Sequence, residues 1–550
     1  MTDKTVNDAG DKAANDPWLP MVVIALAQML MSFNVSAIPV SMSGMVNSFN
    51  TPPTTVATAV VMYSLCVSGF VMLGAKLGQR FGSKRFFQIA VSLFLLAMLL
   101  MVFSPTAGIM LAAQGLAGLA GAALVPTLVA LIADHYRGRQ QAKAVGWLGS
   151  ARAIAGVLAF VIVGYVAQIN WRLAFGLLVV QAAVILLMSF KFKPSAGIPE
   201  MKIDRVGVVL AAVGIILVSF GFNNLRNWGV LLAGPKAPFN ILGISPAPAM
   251  ITIGTAMLMG FFSWSGRTAR TGRTPLLALE VVDSAREWAA VVTLFVIVGT
   301  EAAINFAVPL YIQIIQDRSS AATSVTMMPF LLTVFFAAIL VVRLYDRFSP
   351  RQIARGAFLL VIAGTLWLAF VVRNDWSVFP VILGLFIVGL GQGALVTLLF
   401  NVLVTSSPKE LAGDVGSLRG VTQNLAAAVG TAIMAALVVG VLSAGVLRQV
   451  KDNPLITAEM KAEVDLDSIN FLSNDRLRER FENTNATPEQ IAEALRINSE
   501  TRLRALKTGF VLLAGLSVLA LVPCGWLPDY RPREIPAESR SEADMQQRAA

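Results

Sequence analysis

The sequence is short of charge. Only 14% of its 550 residues are Asp, Glu, Lys or Arg, against about 25% in ordinary soluble domains. Histidine occurs once, at His135, and cysteine twice, at Cys66 and Cys524. With no CxxC spacing and one histidine, there is no zinc ribbon, thiol redox pair or disulfide framework to read, and the two cysteines are expected as packing residues. No metal or other cofactor is implied. No nucleophile, base and acid cluster around His135, which argues against an enzyme. Short alternating strands are missing, which excludes a membrane barrel. The first seventeen residues lack the apolar core of a signal peptide, so no cleavable leader is expected.

What the chain has instead is long apolar runs. Hydrophobic residues make up 56% of it. They arrive in fourteen blocks, at 18–41, 55–75, 87–104, 107–133, 144–168, 173–190, 206–222, 248–265, 288–312, 324–343, 355–372, 377–404, 418–446 and 506–527. A block of about 20 residues crosses a hydrocarbon layer of about 30 Å as a helix. Backbone groups find no water inside a bilayer, so helices are required. The expectation is an all-α, polytopic protein with the lipid bilayer as its main partner.

The net charge of +11 is a topology signal rather than a nucleic-acid one. Lys and Arg concentrate in loops after even-numbered blocks, such as Lys76, Arg80, Lys84 and Arg85, or Arg343, Arg347, Arg351 and Arg355. Odd loops hold scattered cations such as Lys236, Arg318 and Arg373. The positive-inside rule puts the even loops and both termini in the cytoplasm. Residues 447–505 break the pattern. They are polar, and Thr487-Pro488-Glu489-Gln490 has the form of a helix start with a capping box. We read a small helical extracytoplasmic insert there, open between a tolerated insertion and a gating or partner-binding role. The reading divides the chain into an N-terminal tail (1–17), a six-helix bundle (18–190), a linker with two extra membrane helices (191–287), a second six-helix bundle that includes the insert (288–527) and a C-terminal tail (528–550).

The loop after the second block reads Ala75-Lys76-Leu77-Gly78-Gln79-Arg80-Phe81-Gly82-Ser83-Lys84-Arg85. It resembles the helix 2–3 loop of the major facilitator superfamily at Leu77, Arg80, Gly82 and Lys84. An echo follows the tenth block, with Asp346 and Arg347 in an Asp-Arg-Phe core. Two related loops eight helices apart fit a duplication of six helices with two added between the halves. Gly118, Gly121 and Pro126 in the fourth block, Trp171-Arg172, Pro309 to Gln313, Gly389 to Gly393, and Asp414 are similar to the fourteen-helix drug-efflux branch. That resemblance implies two six-helix bundles working by alternating access, a small amphiphilic organic cargo, protons as coupling ion, and a plasma (inner) membrane location.

The departures bear on mechanism. The drug:proton antiporters of this branch usually carry an arginine in helix 4, where Gln114 stands here, and an acidic residue in helix 1, where Leu30 or Met31 stands, with Asn34 the nearest polar group. The proline of the helix 5 element is replaced in the stretch ending at Gly164. Two charges are left inside the apolar blocks, Glu301 and Arg152. Such groups face a cavity or a partner, because burial in hydrocarbon costs about 2.5–3.5 kcal/mol. Glu301 is a candidate for coupling or substrate binding, with a structural pair as the rival reading, and Arg152 divides evenly between the two. Asn305, one turn on from Glu301, and Gln392 are candidate cavity residues. The rival functions are a lipid or lipid-linked exporter and a non-transporting membrane receptor.

Overall fold

The computed structural model describes residues 18–529 except 137, 195–196, 201, 230–231, 235–236, 240–242, 283, 345–346, 376, 407–411, 452, 457–473 and 483–485. The expectations placed on the 1–17 tail, on Lys236 and on Asp346 fall outside the described residues, as does the 528–550 tail from residue 530 onward. Arg152 has a described backbone but not a described side chain.

The described residues are helical throughout apart from turns and one isolated bridge, Leu232 to Ile244. In chain order the helices are α1 (Leu19–Val40), α2 (Met42–Phe49), α3 (Pro53–Phe81), α4 (Ser83–Val102), α5 (Ala107–His135), α6 (Gly138–Ile169) and α7 (Trp171–Ser189). Then come α8 (Arg205–Trp228), α9 (Pro246–Arg270), α10 (Ala285–Leu310), α11 (Ser320–Leu344), α12 (Pro350–Val371), α13 (Val378–Ser406) and α14 (Ala412–Lys451). Helices α15 (Asn474–Glu482), α16 (Pro488–Leu519) and α17 (Leu521–Cys524) complete the chain. Thirteen of these are long and apolar enough to cross a membrane over their described residues. The fourteenth, α6, is described in part and contributes the apolar stretch Ile154–Ile169.

Local chemistry sets the starts. Capping boxes open α10 (Ser284 with Glu287), α12 (Ser349 with Gln352) and α16 (Thr487 with Gln490). Each satisfies two backbone donors that a helix start would otherwise leave open. Proline stands in the first turn of α9, α12 and α16, where its missing N–H costs nothing.

The second half repeats the packing of the first pair by pair. In the first, α3 lies on α5, α4 on α5 and α7, and α1 on α6 and α5. In the second, α11 lies on α13, α12 on α13 and α16, and α10 on α14 and α13. The halves meet along two seams, α3 with α14 and α6 with α11. The extra helices α8 and α9 pack on each other, and α8 covers the first seam by touching both α3 and α14.

One end of the bundle carries the basic loops, such as that holding Arg80; the other carries the insert. The helix opened by Thr487 does not end before the membrane, as a separate insert helix would. It runs unbroken for 32 residues into the last apolar segment. Helix α14 is 40 residues long. At about 1.5 Å per residue these reach about 48 and 60 Å, well beyond a hydrocarbon layer of about 30 Å. The two pack on each other, with Gly445 against Thr501, and α15 packs on α16.

Candidate functional site

The central side chains form two polar pairs, one in each half. In the first half Asn34 on α1 and Gln114 on α5 are both fully buried. Asn34 Nδ2 donates to Gln114 Oε1 at 2.9 Å, and Gln114 Nε2 donates back to Asn34 Oδ1 at 3.2 Å. In the second half Gln392 Nε2 on α13 donates to Glu301 Oε2 on α10 at 2.7 Å. Both pairs join the first and fourth membrane helices of their half. The two departures noted in the first half therefore compensate each other: a neutral amide stands at each end, and no buried charge is left without a partner. The ionisable member survives only in the second half.

Gln392 is fully buried and Asn305 half-buried. Gln392 Oε1 and Asn305 Oδ1 have no hydrogen-bond partner among the described residues. The amide of Gln392 thus presents a donor to Glu301 and keeps an open acceptor oxygen of its own. Asn305 follows Glu301 by one helical turn, as the spacing implied. The structure brings Glu301 and Gln392 together, while the contacts of Arg152 lie outside the described residues.

Glycines let these helices approach. A Cβ on Gly118 of α5 would strike the Tyr63 carbonyl of α3 and stand 2.7 Å from Cys66 Cβ. A Cβ on Gly164 of α6 would collide with Ser324 of α11, across the second seam between the halves.

The loop residues are placed more plainly. Gly82 has φ 85°, a conformation that a side chain disfavours. Lys84 Nζ donates to the Phe190 and Phe192 carbonyls, at 3.0 and 2.6 Å, so its charge meets the end of α7. Arg80 is exposed over the Phe81 ring, Leu77 is half-buried and Arg347 is exposed.

Two contacts were not anticipated. Gln313, in a π-helical turn that extends α10 (Tyr311–Ile315), bridges the halves at the insert end. Its Nε2 donates to the Pro39 carbonyl at 3.0 Å, and its Oε1 accepts from the Ser43 backbone N–H at 3.0 Å. Arg502 of α16 is 1% exposed. It donates to Asn474 Oδ1 at 2.6 Å and to the Ile314 carbonyl at 3.4 Å, tying α15 to the π-helical turn. The π turn and the buried arginine leave no trace in hydropathy, and Arg502 reads as one more polar residue of the insert.

Comparison with known proteins agrees with this arrangement. Residues 24–431 match the Major Facilitator Superfamily. The chain is 25% identical over 410 residues to a probable actinorhodin transporter of Streptomyces coelicolor, covering 71% of this chain and 67% of that protein. It is 21% identical over 420 residues to the methylenomycin A resistance protein of Bacillus subtilis, covering 76% and 87%. It is 22% identical over 422 residues to the multidrug efflux pump LfrA of Mycolicibacterium smegmatis, covering 76% and 80%. Among solved structures, a bacterial homologue of the human lysosomal transporter Spinster, inward-facing and unoccupied, superposes with a TM-score of 0.61 at 12% identity, over 92% of this chain and 98% of that one. An auto-inhibited POT-family peptide transporter gives 0.58 at 14% identity, over 94% and 98%; at these identities the likeness is one of fold. The all-α duplicated bundle and the matched span together show that the chain belongs to the Major Facilitator Superfamily and is a multi-pass membrane transporter rather than an enzyme.

Proposed function

We propose that the protein exports a small amphiphilic organic compound across the plasma membrane by alternating access, driven by protons that bind at Glu301. The observation that carries this reading is the Gln392–Glu301 bond of 2.7 Å beside two open acceptor oxygens. When Glu301 is a carboxylate, Gln392 Nε2 stabilises it with a charge-assisted bond. When Glu301 is protonated, its O–H can donate to Gln392 Oε1 or Asn305 Oδ1. The site thus has a partner for either protonation state, which a coupling group requires. The neutral amide pair between the corresponding helices of the first half has no titrating proton to exchange.

Alternating access also needs contacts that break by turns. Gln313 with Pro39 and Ser43 joins the two halves at the insert end. This contact is made or broken as the halves rock. The actinorhodin, methylenomycin and multidrug relatives support an exported organic cargo. The Lys/Arg asymmetry supports a cytoplasmic basic end, with both termini cytoplasmic and Thr487 outside.

The test is flux. In proteoliposomes carrying a proton gradient, the protein is expected to accumulate an amphiphilic dye against its concentration, and to stop when the gradient is collapsed. Binding of such dyes without any flux would favour a receptor. Labelling of a cysteine at position 80 from outside intact cells by an impermeant reagent would invert the topology.

A further inference from the structure

A groove of about 640 Å³ lies on the outer flank of the first half, between α4 and α7, away from the polar pairs. It has a charged end and an apolar length. Arg85 and Gln88 stand at the basic end of the bundle. Ile89, Leu93 and Leu96 continue from them along one face of α4, and Phe190 closes the mouth from the α7 side. Ile89 is 60% exposed, Leu96 49% and Phe190 62%, so the described residues leave this surface uncovered.

The two neighbouring cations behave differently. Lys84 spends its charge on the carbonyls that end α7. Arg85 is exposed, and among the described residues no carboxylate pairs with it. Lys191 and Lys193, also exposed, add positive charge just beyond the end of α7. With no carboxylate on Arg85 among the described residues, the mouth of the groove is cationic.

Dimensions narrow the occupant. From Arg85 to Leu96 is eleven residues, about 16 Å along the helix at 1.5 Å per residue. One leaflet of a hydrocarbon core of about 30 Å is about 15 Å deep. The groove thus carries a cation at headgroup level and an apolar face about as long as one leaflet is deep. We propose that this groove is a binding site for an anionic phospholipid, with its phosphate on Arg85 and an acyl chain along Ile89, Leu93 and Leu96. The binding does not depend on the transport reading; only its assignment to the cytoplasmic leaflet rests on the topology proposed above. Basic pockets between membrane helices on that side are suited to anionic headgroups.

The experiment uses the full chain, purified and delipidated in neutral detergent. Phosphatidylglycerol with a diazirine on its acyl chain is photo-activated and the adducts mapped. Adducts are expected on 89–96 and near Phe190, above the other membrane-facing helices; even labelling of all outer faces would overturn the site. Native mass spectrometry then titrates phosphatidylglycerol against phosphatidylcholine. Arg85→Ala should weaken phosphatidylglycerol binding about fivefold, the effect of one cation near a headgroup, while leaving phosphatidylcholine unchanged. Leu96→Trp should weaken it by shortening the groove with Arg85 intact. Equal binding of both lipids by wild type, or an equal loss from Arg270→Ala at the distant end of α9, would refute the charge selection. Displacement by free glycerol phosphate as effective as by the whole lipid would make this an anion site and end the lipid proposal.

Discussion

Replacing Gln114 by methionine keeps its shape and removes both hydrogen bonds to Asn34. A weak contact of Gln114 Nε2 with Met101 Sδ at 3.6 Å goes as well. Asn34 is then a fully buried amide without its partner. Within membrane helix bundles a polar contact between helices is worth about 0.6 kcal/mol on average and up to about 1.7. Two reciprocal bonds set the coupling at roughly 1–3 kcal/mol. Gln114→Met alone should lose about that much, and Asn34→Leu alone a similar amount, because each orphans the other amide. The double variant orphans neither. It should be closer to wild type than the sum of the singles by the coupling energy. The assay is a double-mutant cycle on unfolding in mixed detergent micelles. Strict additivity, within about 0.3–0.5 kcal/mol, would refute the pair. Because the pair is neutral, the double variant should also keep the wild-type pH dependence of transport; a lost pH dependence would move the proton site into the first half.

Three further outcomes follow from named contacts. Gly118→Val places a branched side chain against the Tyr63 carbonyl and Cys66, an overpacking that costs about 1–3 kcal/mol or more; folded yield should fall, while Gly176→Val, with nothing within 4 Å of its Cβ, should be tolerated, and equal yields would contradict the close α3–α5 approach. Gln313→Ala removes two bonds between the halves, at about 1 kcal/mol each, and should shift the balance toward opening at the insert end roughly thirtyfold; a cysteine at position 43 should then react faster with an impermeant thiol reagent, and an unchanged rate would remove Gln313 as a clamp. Arg502→Met releases Asn474 from the π-helical turn, and hydrogen exchange over Asn474–Glu482 should speed up; unchanged exchange would leave the insert held by other contacts.

Much of the fold was legible because the bilayer enforces it. Apolar blocks of spanning length gave the fourteen long helices, since hydrocarbon leaves the backbone no alternative to internal hydrogen bonds. The Thr487 start was readable from four residues, because a capping box is local chemistry. The continuation of that helix through Arg502 was not, because hydropathy falls wherever charges occur, whether they face water or are buried on a partner. The short helix α2 was absorbed into a loop for want of spanning length. At the site, Asn34 and Gln114 were each visible as departures from a resembling family. Their pairing was not, because it joins residues 80 apart, and side-chain direction across two helices is a tertiary fact. Gln313 stood inside a quoted motif, but its reach to α1 depends on the π turn that displaces it.

The measurement that bears most directly on the central claim compares exchange with accumulation in Glu301→Gln. Glutamine keeps the size of Glu301, and its carbonyl can still accept from Gln392 Nε2, the bond now made at 2.7 Å; what it loses is the titrating proton. In proteoliposomes the variant should exchange labelled for unlabelled substrate at near the wild-type rate, yet fail to concentrate substrate when a proton gradient is imposed. Gradient-driven accumulation by Glu301→Gln equal to wild type would contradict the account, leaving Glu301 a structural partner of Gln392.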